Sequence, residues 1–177
     1  MNNIYNFSPG PSKLPQSVID RVENSINHYK NTGKSILEIS HRSNELDDIL
    51  NEINNNYLNL FNFPNDVNIL LLQGGATFQN SLIPMNIDER CKLGCFVTGT
   101  WGKKTSEDFS KILNNVEIIE ANKNDLEHYL QKEYIGFQNT DYLHMTSNET
   151  IEGIQIQDFN SMNHGNLIID MSSDLGS

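Results

Sequence analysis

Val67-Asn68-Ile69-Leu70-Leu71-Leu72-Gln73 is nearly all apolar and is broken at once by Gly74-Gly75, with Ala76 and Thr77 following. An apolar run of this length bounded by turn residues reads as a β-strand covered on both faces, as in a parallel sheet. Thr77–Met85 then reads as a helix start. Towards the C-terminus, Cys95–Thr98, Val116–Glu120, Asp141–Thr146 and Leu167–Asp170 read as short strands, with helices at Lys103–Leu113 and Asn124–Lys132. Towards the N-terminus, Pro15 opens a helix with Val18, Val22, Ile26 and Tyr29 at helical spacing. Gly33 stands where a C′ glycine would end it. Ser35–Ile39 reads as extended. A second amphipathic helix carries Leu46, Ile49, Leu50, Ile53, Tyr57, Leu60 and Phe61, closed by Pro64. Strands alternating with helices predict an α/β fold, three-layer α/β/α, with a mostly parallel sheet and helices on both faces. Residues 1–15 read as an irregular segment and 16–177 as part of one α/β domain.

The charge narrows the partners. Twelve basic and twenty-three acidic residues leave a net charge of −11. Nucleic acid needs basic surface to displace its counterions, so it is not an expected partner. A phosphorylated ligand has to be held by a local set of donors that overrides the global field. No apolar run reaches membrane-spanning length, and the first residues lack the basic start and apolar stretch of a signal peptide. A cytoplasmic protein without a membrane partner is expected. Cys91 and Cys95 have no second pair, so no zinc site or disulfide framework is expected; they read as small apolar side chains.

In open α/β sheets ligands bind beyond the carboxyl ends of the strands, so the loops there hold the candidates. Gly74, Gly75, Ala76 and Thr77 join a strand to a helix. Free amides at the helix start favour an anion, and the Thr77 hydroxyl adds a donor. With neither G-x-G-x-x-G nor a P-loop lysine, a plain tight turn competes with that reading. Asp170 ends a strand, where its carboxylate can hold a ring nitrogen protonated or simply cap a following helix. Trp101, the single tryptophan, can stack on an aromatic ligand or sit in the core. His41-Arg42 offers a cationic fork for carboxylate or phosphate. Thr150, in the loop Ser147–Gly153, can bond a ligand hydroxyl or belong to a polar turn. An anion cradle, a stacking plate, a carboxylate and a cationic clamp together suit an aromatic, phosphorylated, positively charged ring. Pyridoxal 5′-phosphate is the obvious candidate.

Six stretches carry a resemblance: NFSPGPSKLP (Asn6–Pro15), EISHRSNEL (Glu38–Leu46), LLQGGATFQN (Leu71–Asn80), TGTWGKK (Thr98–Lys104), SNETIEG (Ser147–Gly153) and IDMSSD (Ile169–Asp174). Together they resemble the N-terminal portion of the phosphoserine aminotransferases, pyridoxal-phosphate-dependent enzymes of fold type I and class V. The resemblance implies that residues 16–177 are the N-terminal part of a cofactor-binding large domain. Ala76 and Thr77 would hold the cofactor phosphate, with Gly74 and Gly75 allowing the turn. Trp101 would stack on the ring, Thr150 would bond its hydroxyl and Asp170 would pair with its nitrogen. Arg42, with His41, would bind the acidic end of the substrate. The implied reaction moves the amino group of L-glutamate to 3-phosphohydroxypyruvate, giving O-phosphoserine and 2-oxoglutarate. The implied setting is serine biosynthesis, with some bacterial members serving the pyridoxine pathway. A homodimer is implied for the full-length enzyme.

This chain departs from the family at three places. Phe78 stands where a small residue is usual, and Thr100 stands where a tyrosine is frequent. The Schiff-base lysine of the family lies beyond the aspartate, and here no lysine follows Lys132. The 177-residue chain is therefore expected to be a fragment that is inactive alone. Two rivals stand beside this reading: another fold-type-I aminotransferase, such as an alanine–glyoxylate type, and a non-catalytic remnant that acts by association.

Overall fold

Pro15, whose ring presets a helix-compatible φ, directly precedes α1 (Gln16–Asn27). The computed structural model describes residues 5–8, 10–64, 66–122, 124, 139–159 and 164–177. They form two compact units, Met1–Leu70 and Leu71–Ser177. In the first unit α1 ends earlier than its apolar spacing predicts. His28 is extended (φ −161°), and the Tyr29 amide donates to Lys34 O at 2.8 Å, drawing the chain into a turn. Tyr29 therefore lies beyond the helix, and Gly33 (φ +72°) shapes that turn instead of capping α1. Ser35–Ile39 is not extended either: Ile36–Glu38 is a 3₁₀ turn. The reason is a local capping box, in which Ser35 Oγ accepts from the Leu37 amide and Glu38 accepts from the Ser35 amide at 2.9 Å. α2 (Asn44–Leu60) follows the predicted stripe, with Ser43 as N-cap and Glu45 and Asp47 in its first turn, where the dipole favours them.

The predicted strand Val67–Gln73 does not form. Its residues have no ladder partner among the described residues, and Leu70, Leu71 and Leu72 are 72%, 56% and 57% exposed. β-propensity records a fit to a pleated, half-buried surface, so without a neighbouring strand it has nothing to act on.

The second unit begins with α3 (Ala76–Met85) and continues through β1 (Leu93–Val97), α4 (Thr100–Ser110), β2 (Val116–Glu120) and β3 (Tyr142–Thr146). The short antiparallel pair β4 (Asn148–Glu149) and β5 (Ile154–Gln155) comes next, and then β6 (Leu167–Asp170). The predicted helix Asn124–Lys132 falls, from residue 125 on, outside the described residues. α4 starts three residues earlier than predicted, which puts Trp101 in its first turn and not in a loop.

The four main strands run in the order β2-β1-β3-β6, and every neighbouring pair is parallel. The register sets Phe96 beside Met145 and Thr146 beside Asp170, so the carboxyl ends of the strands form one edge. Strand alternation divides the core between two faces. Leu93, Cys95 and Val97 pack with Phe109 and Leu113 of the α4 side, while Phe96, Leu143 and Met145 pack with Ile156 on the other. Cys95 is buried, which pushes its thiol up to about 12 and leaves it inert; Cys91 is half-buried.

His144 also faces the helix side. It is 2% exposed and meets Phe109 edge-on at 5.1 Å between ring centroids. Burial lowers its pKa to about 4, opposed by the nearby charge of Asp170. A folded-state pKa below the unfolded value means that the unfolded chain binds the proton first. Stability is thus undiminished above about pH 6.5 and falls as pH drops from there towards 4, by on the order of 3 kcal/mol in full. Urea unfolding at pH 7 and at pH 4.5 is expected to show this loss in the unsubstituted chain and a smaller loss in His144→Gln. Equal losses in both chains would rule out His144 as the source.

Candidate active site

Two helices start above the carboxyl edge of the sheet, and their N-termini differ. α4 begins after Gly99, which offers no side-chain cap. Acceptors come instead from the β4–β5 hairpin, Glu149 from the end of β4 and Glu152 from the connection. Glu149 takes the Trp101 amide at 2.9 Å on Oε2 and the Gly102 amide at 2.7 Å on Oε1. Glu152 Oε1 takes the Thr100 amide at 3.0 Å and the Thr100 hydroxyl at 2.6 Å. Two carboxylates thus occupy the positive end of α4, and an anion has no place there.

α3 is different. Its N-cap, Gly75, also lacks a side chain, and no carboxylate or hydroxyl caps the first turn among the described residues. The Phe78 and Gln79 amides turn back to Gly75 O, so the amides of Ala76 and Thr77 remain open. A Cβ at Gly75 would meet nothing within 4 Å, so the helix start is open on that side. This helix start is a ready anion cradle.

Asp170 lies across from that cradle. Ala76, Gln79, Asn80 and Ile83 of α3, with His144 and the stretch Ile168–Ser172, line a cavity of about 260 Å³. Asp170 Oδ1 accepts from the Ser172 amide at 3.0 Å and the Ser172 hydroxyl at 2.6 Å. That is the capping geometry weighed against a ligand role, and it uses one oxygen only. Oδ2 has no hydrogen bond among the described residues. Behind Asp170, Ser147 Oγ donates to the backbone oxygen of Asp170 and contacts Asp174 Oδ1, tying the end of β3 to the end of β6.

Trp101 and Thr150 meet directly, the indole Nε1 donating to Thr150 Oγ1 at 2.9 Å. Trp101 is 41% exposed, so it is not a core residue. Gly74, Gly75, Ala76, Thr77, Trp101, Thr150 and Asp170 all belong to the second unit; Ala76 and Asp170 share one cavity, whose lining does not include the other five, and Trp101 and Thr150 form a separate bonded pair. His41 and Arg42 belong to the first unit, exposed in the turn before α2. A larger cavity of about 680 Å³ covers the ends of β1 and β2, lined by Glu120, Glu152 and Lys103 among others, and none of the sequence-predicted site residues lines it. No group of three or more metal-ligating side chains occurs among the described residues.

Glu149, Glu152 and His144 carry no local sequence signal of their place at this edge; it depends on contacts distant in the chain. Burial raises the Glu149 pKa, the amides of Gly102 and Trp101 oppose this, and the charges of Glu152 and Asp170 add to it. The Thr100 hydroxyl is the main cause that lowers the Glu152 pKa.

The profile of the class-V aminotransferases matches residues 4–177, almost the whole chain. The chain belongs to that family. Among curated proteins, a phosphoserine aminotransferase of Bacillus cereus is 38% identical over 178 residues, covering 99% of this chain and 49% of the relative. A solved phosphoserine aminotransferase superposes with a TM-score of 0.83 at 34% identity, over 99% of this chain and 49% of its own. A phosphoserine aminotransferase from Trichomonas vaginalis, solved with pyridoxal phosphate bound, gives 0.82 at 29% identity over 98% of this chain and 52% of its own. The chain spans about half the length of the curated relatives that it matches. For a class-V aminotransferase, the parallel sheet with flanking helices is the fold-type-I arrangement that the sequence predicted.

Gly74 holds the bend into the cradle. Its φ is +83°, and a Cβ there would stand 2.6 Å from Phe78 Cβ. Gly74→Ala is expected to cost on the order of 2 kcal/mol from the left-handed backbone alone, with a displaced α3 start in addition. Gly75→Ala, with open space around it, should cost less than about 1 kcal/mol as an N-cap change. Equal costs in a denaturation experiment would contradict this account of the bend.

Proposed function

We propose that this chain carries the pyridoxal-phosphate-binding part of a phosphoserine transaminase, which transfers the amino group between L-glutamate and 3-phosphohydroxypyruvate. The observation that carries the reading is a shared cavity: Ala76, the first residue of α3, and Asp170 line it together. The residues fit the cofactor. The Ala76 and Thr77 amides offer the only uncapped helix start at the carboxyl edge among the described residues, in a chain whose net charge of −11 otherwise repels phosphate. Asp170 Oδ2 is free to meet a protonated ring nitrogen.

Bound there, the cofactor supplies an electron sink for the carbanion formed at the substrate Cα. The chain supplies binding and electrostatics. Ala76 and Thr77 hold the phosphate, and Asp170 keeps the ring nitrogen protonated, each pKa unit being worth about 1.4 kcal/mol. Trp101 covers one ring face and Thr150 donates to the ring oxygen. Arg42, with His41, is assigned to the acidic end of the substrate. The names of the relatives support phosphoserine as that substrate, and the proposal extends to a full-length homodimer in the cytoplasm.

Calorimetric titration with pyridoxamine 5′-phosphate tests the binding half, since this form cannot attach to surface lysines. One-to-one binding is expected, with at least about tenfold weaker binding for pyridoxamine and for Asp170→Asn, as loss of a charge-assisted bond implies. Equal affinity for the phosphorylated and unphosphorylated forms would contradict the cradle. Equal affinity in Asp170→Asn would contradict the role of the carboxylate.

A further inference from the structure

We propose that Glu149 is a positioning residue, which through Trp101 and Thr150 sets the surface presented to the cofactor ring. The inference rests on the cofactor reading above. Glu149 is fully buried and has no cationic partner among the described residues. A carboxylate in such a place is costly unless donors satisfy it, and here the donors are the amides of Trp101 and Gly102, at the positive end of α4. The fit is close. A Cβ at Gly99 would come within 2.8 Å of Glu149 Cδ, and one at Gly102 within 3.0 Å of its Oε1.

The arrangement closes a ring of bonds. The Trp101 amide is held by the Glu149 carboxylate, Glu149 is covalently joined to Thr150, and Thr150 Oγ1 accepts from the Trp101 indole. Backbone and side chain of one residue are thereby anchored to adjacent residues 48 and 49 positions away, which fixes the tilt of the indole. The ring also orients the hydroxyl. An indole N–H only donates, so Thr150 accepts from it and keeps its own proton for an outward bond. Thr150 thus presents a donor, suited to a phenolate-type oxygen on the ring.

Trp101 is the only tryptophan, so its fluorescence reads the indole directly, with or without ligand. In the 177-residue chain, Glu149→Gln is expected to raise acrylamide quenching of Trp101, shift its emission to the red and weaken pyridoxamine 5′-phosphate binding roughly tenfold. Thr150→Val breaks the other side of the ring at an exposed position. It is expected to raise quenching in the same way with its unfolding midpoint unchanged, and it decides the matter if Glu149→Gln does not fold. A Glu149→Gln chain with a lower unfolding midpoint but unaltered quenching would make Glu149 merely structural and overturn the proposal. Unaltered quenching in Thr150→Val would do the same. If the unsubstituted chain does not bind pyridoxamine 5′-phosphate, the cofactor reading falls, while the quenching comparison still decides whether Glu149 positions Trp101.

Discussion

The first amides of a helix need acceptors from outside it, and in this fold that need is met unequally at two neighbouring sites. Gly99 cannot cap α4, so the chain returns with Glu149 and Glu152 to do so, 47 to 52 residues later. Nothing among the described residues does this for α3. One positive helix end is therefore neutralised internally, and the other faces a cavity whose far wall is Asp170. Among the described residues, the start of α3 thereby keeps backbone donors that no side chain caps.

The sheet makes this asymmetry useful. Because β1, β3 and β6 run parallel in register, their carboxyl ends deliver the α4 start, the β4–β5 connection and Asp170 to one edge. Ser147 fastens the backbone of Asp170 from the next strand, and Glu149 fastens the turn that carries Trp101. The charges at this edge interact: Asp170 opposes the lowering of the His144 pKa and helps to raise that of Glu149.

Much of this was legible beforehand, for identifiable reasons. The stripe from Leu46 to Phe61 follows the helical repeat, and Ser43 is a good cap, so α2 could be read locally. Val116–Glu120 and Leu167–Asp170 are short stretches rich in Val, Ile and Leu that find parallel partners, so they form strands. Val67–Leu72 has the same appearance and no partner among the described residues, because apolarity signals a preference for burial without naming the neighbour. α4 starts at Thr100, ahead of the helix expected from Lys103, because its capping groups are not local. For the same reason Glu149 looked like one polar residue of a turn. Asp170, Trp101 and Thr150 stood out because they follow strands, where ligands of such sheets bind. The family motifs supplied roles for them that spacing alone left open. His144 gave no signal, since its burial depends on Phe109 from a distant helix.

The contrast between the two helix starts is tested most directly by the amide NMR spectrum of the chain during titration with inorganic phosphate. Shifts at the Gly75, Ala76 and Thr77 amides, with those of Trp101 and Gly102 unmoved, are the predicted result. Shifts at Trp101 and Gly102 with α3 silent would contradict the account.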